Sequence, residues 1–252
     1  MSDVLLLAID TSTSAITVAL HDGSSVLAEA TTLGARGHAE HLAPGIRTVL
    51  DRAGVTPTDV THVAVGLGPG PFTGLRVGIV TARTFALAVG AGVHGLCSLD
   101  VLAHQGVASG AVSGGELLVA TDARRKEVYW SRYAVEPAQP GGIRRIGDPT
   151  VSRPADLDAD VVALPTVGRG PQLYPDVWAA GILSPGELRS APVLPGSSEG
   201  FGLIDVSAAA LAELVIQRLA AGDPVDEHEP FYLRRPDAVP SASSAIARSA
   251  LG

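Results

Sequence analysis

An α/β fold made of two related halves is predicted for this chain by three observations. Short apolar runs alternate with helical stripes, a six-residue segment near the start recurs in mid-chain, and each copy leads into a second strand-like segment. The two copies are Leu5-Leu6-Leu7-Ala8-Ile9-Asp10 and Leu117-Leu118-Val119-Ala120-Thr121-Asp122, which agree at both leading leucines, the alanine and the aspartate. A length of 252 residues accommodates two packed halves with a substantial core. Hydrophobic residues make up 46% and charged residues 17%, beside 29 Gly and 18 Pro, so close-packed elements joined by tight turns are expected and disorder is confined to short stretches.

The first half reads as strand, strand, strand, helix. Val4–Ile9 and Ala15–His21 are apolar runs, Asp22-Gly23 is a hairpin signal, and Ser25–Thr31 follows as the third strand. From His38 to Ala53, apolar residues at Leu42, Ile46, Val49, Leu50 and Ala53 form one helical face, and Gly54 stands at the expected stop. Thr61–Gly66 has the length and composition of a buried parallel strand. It feeds the loop Gly66-Leu67-Gly68-Pro69-Gly70-Pro71, and Phe72–Val89 is then apolar on almost every side, which predicts a helix buried over most of its circumference. Val93–Cys97 predicts a strand and Leu99–Ala108 a helix. The Gly/Ser-rich stretch 109–115 marks the boundary, so residues 1–109 form the first half and 110–236 a smaller second half. In the second half Glu127–Val135 is the second strand, Val161–Thr166 a further strand, Gln172–Ala180 the vicinity of a helix and 184–202 a Gly/Pro/Ser loop. A returning helix spans 207–221, with Leu211, Leu214, Val215 and Leu219 on one side and Gly222 at its end. The tail 237–252 has little apolar bulk and is expected to be disordered.

Several function classes are disfavoured. A formal net charge of -8 argues against a broad basic surface, so any RNA contact by the chain alone is expected to be weak. The start lacks a basic region and its apolar run is too brief for a signal peptide or a span, so a cytoplasmic location and no membrane partner are expected. The single cysteine, Cys97, lies in an apolar segment and reads as a buried structural thiol. His38 and His41 lie three apart on a helix start, but no third ligand accompanies them, and no metal site is expected. No G-x-S-x-G elbow supports a hydrolase.

Asp10 ends a strand and opens onto Thr11-Ser12-Thr13-Ser14. In duplicated folds of the actin and sugar-kinase type, such an aspartate orients a metal-bound nucleotide, and a glycine-bearing loop after it wraps the phosphates. Here no glycine follows until Gly23, and Asp122 is followed by Ala123-Arg124-Arg125-Lys126. Both phosphate loops therefore read as degraded. Asp10, Thr11, Ser12, Asp122 and Arg124 are left as vestigial nucleotide or anion contacts, with Asp10 and Asp122 bracing their strand ends. The loop Gly68-Pro69-Gly70-Pro71 precedes a helix as a phosphate cradle would, but both prolines remove an N–H donor, so a tight strand-to-helix turn is expected. Gly74, Gly78, Ala82 and Ala86 recur every four residues and permit close approach of another helix, either from the same domain or from a second subunit.

Taken together, several of these motifs resemble the TsaB (YeaZ) family: Ala8-Ile9-Asp10-Thr11-Ser12, Arg36-x-His38 leading into Leu42-x-Pro44-x-Ile46, Gly68-Pro69-Gly70-Pro71-Phe72-Thr73-Gly74-Leu75-Arg76-Val77-Gly78, Asp122-Ala123-Arg124 with Glu127-Val128-Tyr129, and Tyr232-Leu233-Arg234. The resemblance spans residues 4–236, and the chain departs from it at Pro71, where the family usually has serine. It implies a duplicated actin-like, ribonuclease H-like fold. It also implies a non-catalytic scaffold subunit for making threonylcarbamoyladenosine on tRNA. The implied partners are a catalytic TsaD-like paralogue and a TsaE-like ATPase, with a homodimer when the paralogue is absent. No cofactor is implied for this chain, because ATP and a metal are held by the partners, and tRNA is reached through the complex. The small-residue stripe then falls to a partner interface made of His38, Leu42, Gly74, Arg76, Gly78, Ala82 and Ala86. A stand-alone ATPase or sugar-kinase-like phosphotransferase is the alternative.

Overall fold

The computed structural model describes residues 4–34, 37–178, 202–223, 225 and 228–234. The first sheet contains β1 (Leu6–Asp10), β2 (Ala15–His21), β3 (Val26–Leu33), β4 (His62–Gly66) and β5 (Gly92–Leu96), in the order β3-β2-β1-β4-β5. The second contains β6 (Glu116–Asp122), β7 (Val128–Val135), β8 (Ile143–Ser152) and β9 (Thr166–Val167), in the order β8-β7-β6-β9. In both, three antiparallel strands are followed by one that runs parallel to the first strand of the set. The two halves thus share a plan far longer than the repeated hexapeptide.

Among the described residues there are six α-helices: α1 (His38–Ala53), α2 (Phe72–Val89), α3 (Ser98–Ala108), the short α4 (Ala159–Val162) and α5 (Gly170–Leu173), and α6 (Ala208–Ala221). α1 and α2 cover the outer face of the first sheet, where Leu7 and Ile9 of β1 meet Leu42, Val49, Leu75 and Ile79. The alternate residues Leu6 and Ala8 face inward to α3 and α6, which also receive Leu117 and Val119 of β6. Leu118 and Ala120 face the opposite way, toward Val161 and Trp178. Both faces of β1 and β6 are covered, which is why the repeated segment is apolar throughout.

Helix α6 returns to the first sheet, and polar groups far apart in sequence set its position. The Ser207 hydroxyl accepts from the Ala210 amide at 3.3 Å as a helix cap. Glu29 Oε1 accepts the Ser207 hydroxyl at 2.7 Å and the Ala209 amide at 3.2 Å, and Thr17 Oγ1 accepts the Ala208 amide at 3.1 Å. Buried Asp100 on α3 accepts Tyr133 Oη at 2.8 Å, Arg145 Nη1 at 3.2 Å and Arg218 Nη2 at 3.3 Å, joining α3, β7, β8 and α6 at one carboxylate. Burial and this carboxylate together push the Tyr133 hydroxyl well above its ordinary pKa.

The second half departs most from expectation. Residues 161–166, expected as a strand, form the end of α4 and the approach to the two-residue β9. The helix expected near Gln172–Ala180 is the four-residue α5 followed by a turn, and the ten-residue β8 is an additional strand. Most of the loop 184–202, the tail 237–252 and Arg36 lie outside the described residues.

Candidate functional site

β1 and β6 end side by side at a narrow cleft between the halves. It is lined by Ser12, Thr13, Asp122, Arg124, Arg169 and Asp205, and its volume is about 10 Å³. That is room for about one water molecule, against the several hundred cubic ångströms that small-molecule sites occupy. Arg169 fills the space with a bidentate ion pair to Asp205, Nε to Oδ1 at 2.8 Å and Nη2 to Oδ2 at 2.6 Å.

Asp10 is fully buried behind this cleft. Its Oδ1 accepts the amide and the hydroxyl of Ser12, both at 2.7 Å, and its Oδ2 accepts the Ser98 hydroxyl at 2.6 Å. Desolvation raises its pKa, opposed by the bonds from Ser98 and Ser12. A Cβ on Gly66 would overlap the Asp10 carboxylate, so the close passage of β4 requires glycine there. Asp122 is turned to its own hairpin: Oδ1 accepts the Arg124 amide at 2.7 Å and Oδ2 pairs with Arg124 Nη1 at 3.2 Å. Both aspartates therefore brace strand ends.

The Gly/Pro loop is committed internally. The Gly68 amide donates to Ser98 Oγ at 3.1 Å, the Ser98 amide donates to the Gly68 carbonyl at 2.7 Å, and the Leu67 amide donates to Leu96 at 2.8 Å. With Pro69 and Pro71 contributing no donor, this is the expected tight turn into α2.

The small-residue stripe of α2 corrects the sequence-based expectation. Gly74, Gly78, Ala82 and Ala86 are all buried within the chain, as is Leu42 of α1, so none of them is at a surface. Thr11 Oγ1 donates to the Gly74 carbonyl at 2.8 Å, and a Cβ on Gly78 would overlap that hydroxyl. The stripe lets α2 settle on the end of β1. The opposite face is open: Arg76 is exposed and stacks 4.3 Å over the Phe72 ring, while Val80 and Leu87 are 61% and 85% exposed. α2 is thus not buried over most of its circumference, because a single sheet receives only one side of it. The segment 228–234 borders this face, with Arg83 donating to the His228 carbonyl and Tyr232 lying 5.2 Å from Phe72.

Residues 26–158 match the model of the TsaD family, tRNA N6-adenosine threonylcarbamoyltransferase. The tRNA threonylcarbamoyladenosine biosynthesis protein TsaB of Escherichia coli is 33% identical over 237 residues, covering 91% of this chain and 94% of the relative. The chain belongs to the TsaB family. An uncharacterized Mycobacterium tuberculosis protein is 39% identical over 244 residues, covering 94% of this chain and 95% of its own. The structure of YeaZ from Pseudomonas aeruginosa superposes with a TM-score of 0.68 at 31% identity, covering 91% of this chain and 100% of that one. The TsaB-family fold is the duplicated actin-like one, as the two matching sheets require.

Among the residues singled out from the TsaB-like motifs, Ser12, Asp122 and Arg124 meet at the cleft, with Asp10 buried behind it and Thr11 turned to α2. His41 is exposed on α1, and His38 begins that helix. Among the described residues no three His, Cys, Asp or Glu side chains are grouped so as to hold a metal. Cys97 is buried, and desolvation pushes its thiol pKa up. Sequence reasoning missed Arg169 and Asp205. The doubled plan offered a signal for Arg169, since Gly168-Arg169-Gly170 follows β9 as the Gly/Pro loop follows β4.

Proposed function

We propose that this chain is a non-catalytic partner subunit in the formation of threonylcarbamoyladenosine on tRNA, docking through the outer face of α2 onto a TsaD-like catalytic paralogue. The observation that carries this is the open apolar side of α2, with Val80 and Leu87 exposed on a helix whose composition is that of a buried one. Arg76 and the bordering Tyr232 add an arginine and an aromatic ring, the side chains that anchor interfaces. The name of the Escherichia coli relative and the match to the transferase family point to the same pathway. In this assembly a TsaE-like ATPase joins, the partners hold ATP and the metal, and this cytoplasmic chain pairs with itself when the paralogue is absent.

The rival is a stand-alone ATPase or sugar-kinase-like enzyme. The 10 Å³ cleft, its Arg169–Asp205 pair and the enclosed Asp10 carboxylate weigh against it. The test is tRNA modification by the TsaD-like, TsaE-like and adenylate-forming proteins with and without this chain, beside the chain alone with ATP. Modification is expected to require the chain, and the chain alone to turn over no ATP. Val80→Asp with Leu87→Asp should weaken association with the paralogue by about 30-fold or more, since charges placed in an interface core are poorly tolerated. Unaltered association would remove α2 from the interface, and ATP turnover by the chain alone would favour the rival.

A further inference from the structure

His62 begins β4 and His94 lies in β5, the edge strand of the first sheet, so the two rings meet at an open margin of the fold. Nδ1 of His62 stands 2.9 Å from Nε2 of His94, with the ring centroids 5.1 Å apart. The register sets His62 opposite Gly92 and Ala64 opposite His94, so the position beside both imidazoles carries no side chain. Gly92 is exposed. A Cβ built on it would lie 3.4 Å from His62 Nδ1 and 3.7 Å from His94 Nε2, and apart from its chain neighbours its three nearest atoms would belong to these rings. Both nitrogens therefore border an uncrowded, solvent-facing position. His94 is also held from its other side. Its hydrogen bond with the Val225 backbone favours the charged form, as a bond donated to a carbonyl does, and with Nε2 turned to His62 the donor is Nδ1. That tautomer leaves the lone pair on Nε2, and a backbone acceptor on the far nitrogen is how metal-ligating histidines are oriented.

We infer that His62 and His94 form a binding site for a borderline divalent transition-metal ion of the tetragonal class of Ni2+ and Cu2+, with water completing its coordination. In the pair as it stands His62 Nδ1 donates a proton to His94 Nε2. Moving that proton to Nε2 of His62, with a small rotation of the rings toward Gly92, turns both lone pairs to one point. At metal–nitrogen distances of about 2.0–2.1 Å, two ligands at a right angle stand about 2.9 Å apart and two at the tetrahedral angle about 3.3 Å. The separation of 2.9 Å thus suits neighbouring positions of a tetragonal ion, whereas Zn2+ requires the nitrogens to part by about 0.4 Å. Two imidazole donors disfavour the hard cation Mg2+. The bound ion takes the place of the shared proton and ties β4 to β5 at the sheet edge.

The test is titration of the chelator-treated full chain with Ni2+ at about pH 7.5, where neutral imidazoles are available, followed by calorimetry and by NMR of the histidine ring protons. One ion per chain is expected, with paramagnetic broadening that reaches the His62 and His94 rings first. His62→Gln and His94→Gln should each raise Kd by at least about tenfold, since even residues that only support metal ligands matter on that scale. His41→Gln, at the exposed start of α1, should leave Kd unchanged. Gly92→Val keeps both imidazoles but fills the space beside them, and it too should weaken binding, so the site is tested even where a Gln variant fails to fold. Broadening that begins at other histidines or at the amino terminus would overturn the inference. So would Ni2+ binding that survives in both Gln variants, or the absence of saturable binding by the wild-type chain.

Discussion

At Gly78 the backbone of α2 passes against the Thr11 hydroxyl, which is itself committed to the Gly74 carbonyl. Gly78→Ala is therefore expected to destabilise the monomer by about 1–3 kcal/mol, through overpacking and displacement of that hydrogen bond, as read by urea denaturation. A glycine that only left room for a second subunit would tolerate alanine in the monomer, so unchanged stability would contradict the packing described. His94 on β5 carries a different prediction. Its Nε2 lies 2.9 Å from Nδ1 of His62, and desolvation, then the neighbouring imidazole, lower its pKa, opposed by a backbone bond to Val225. The folded chain thus prefers neutral His94, while the unfolded chain takes up a proton near the ordinary histidine value of 6.5. Stability should be full above that value and fall as pH drops through the window below it. Denaturation midpoints at about pH 7.5 and 5.5 should converge partly in His94→Gln, with His21, which burial also depresses, contributing to the remaining slope. Identical slopes in variant and wild type would refute this role. The bracing role of Asp10 was legible from its place at a strand end and the absence of a following glycine. Its partner Ser98, 88 residues away, was not.

At the scale of elements, the first half was read almost strand for strand, because its elements are long and carry strong periodicity or complete burial. The second half offered less. β8 contains Gly147 and Pro149, and its pairing with β7 shifts between Trp130 and Arg132, so no alternation survives along it. Such residues are tolerated because β8 is an edge strand. The apolar stretch around Val161 suggested a strand, whereas a helical turn already places Val161 against the outer cluster and leaves only Thr166 and Val167 to pair with β6. α2 was recognised as a helix but its sides were misassigned. Apolar residues surround it, and composition alone does not say which side the sheet covers. Because Val80 and Leu87 project from the uncovered side, the Val80→Asp, Leu87→Asp variant is expected to unfold within about 0.5 kcal/mol per site of wild type, measured by chemical denaturation. A collapse in stability would place that side in the monomer core.

At the scale of the molecule, the halves meet through the shared core around α3 and α6, through the cleft closed by Arg169 and Asp205, and where the segment 228–234 borders α2. Asp205 is 2% exposed, so Arg169→Met leaves a buried carboxylate without its counter-charge and should cost about 3 kcal/mol in thermal or urea unfolding. A neutral outcome would show that solvent reaches Asp205 and that the pair is not what closes the cleft. The sequence by itself determined the doubled plan, the type of most elements in the first half and the absence of a closely following glycine after Asp10 and Asp122. These are local properties: periodicity, turn chemistry and a repeated hexapeptide are visible within a few residues. Only the tertiary structure decided that the small-residue stripe faces inward, that α6 is held by Glu29 across 178 residues of chain, and that an arginine and an aspartate from the second half fill the cleft. Burial and charge pairing depend on what the fold brings alongside a residue, and those neighbours lie 63 residues away for Thr11 and Gly74 and 36 for Arg169 and Asp205.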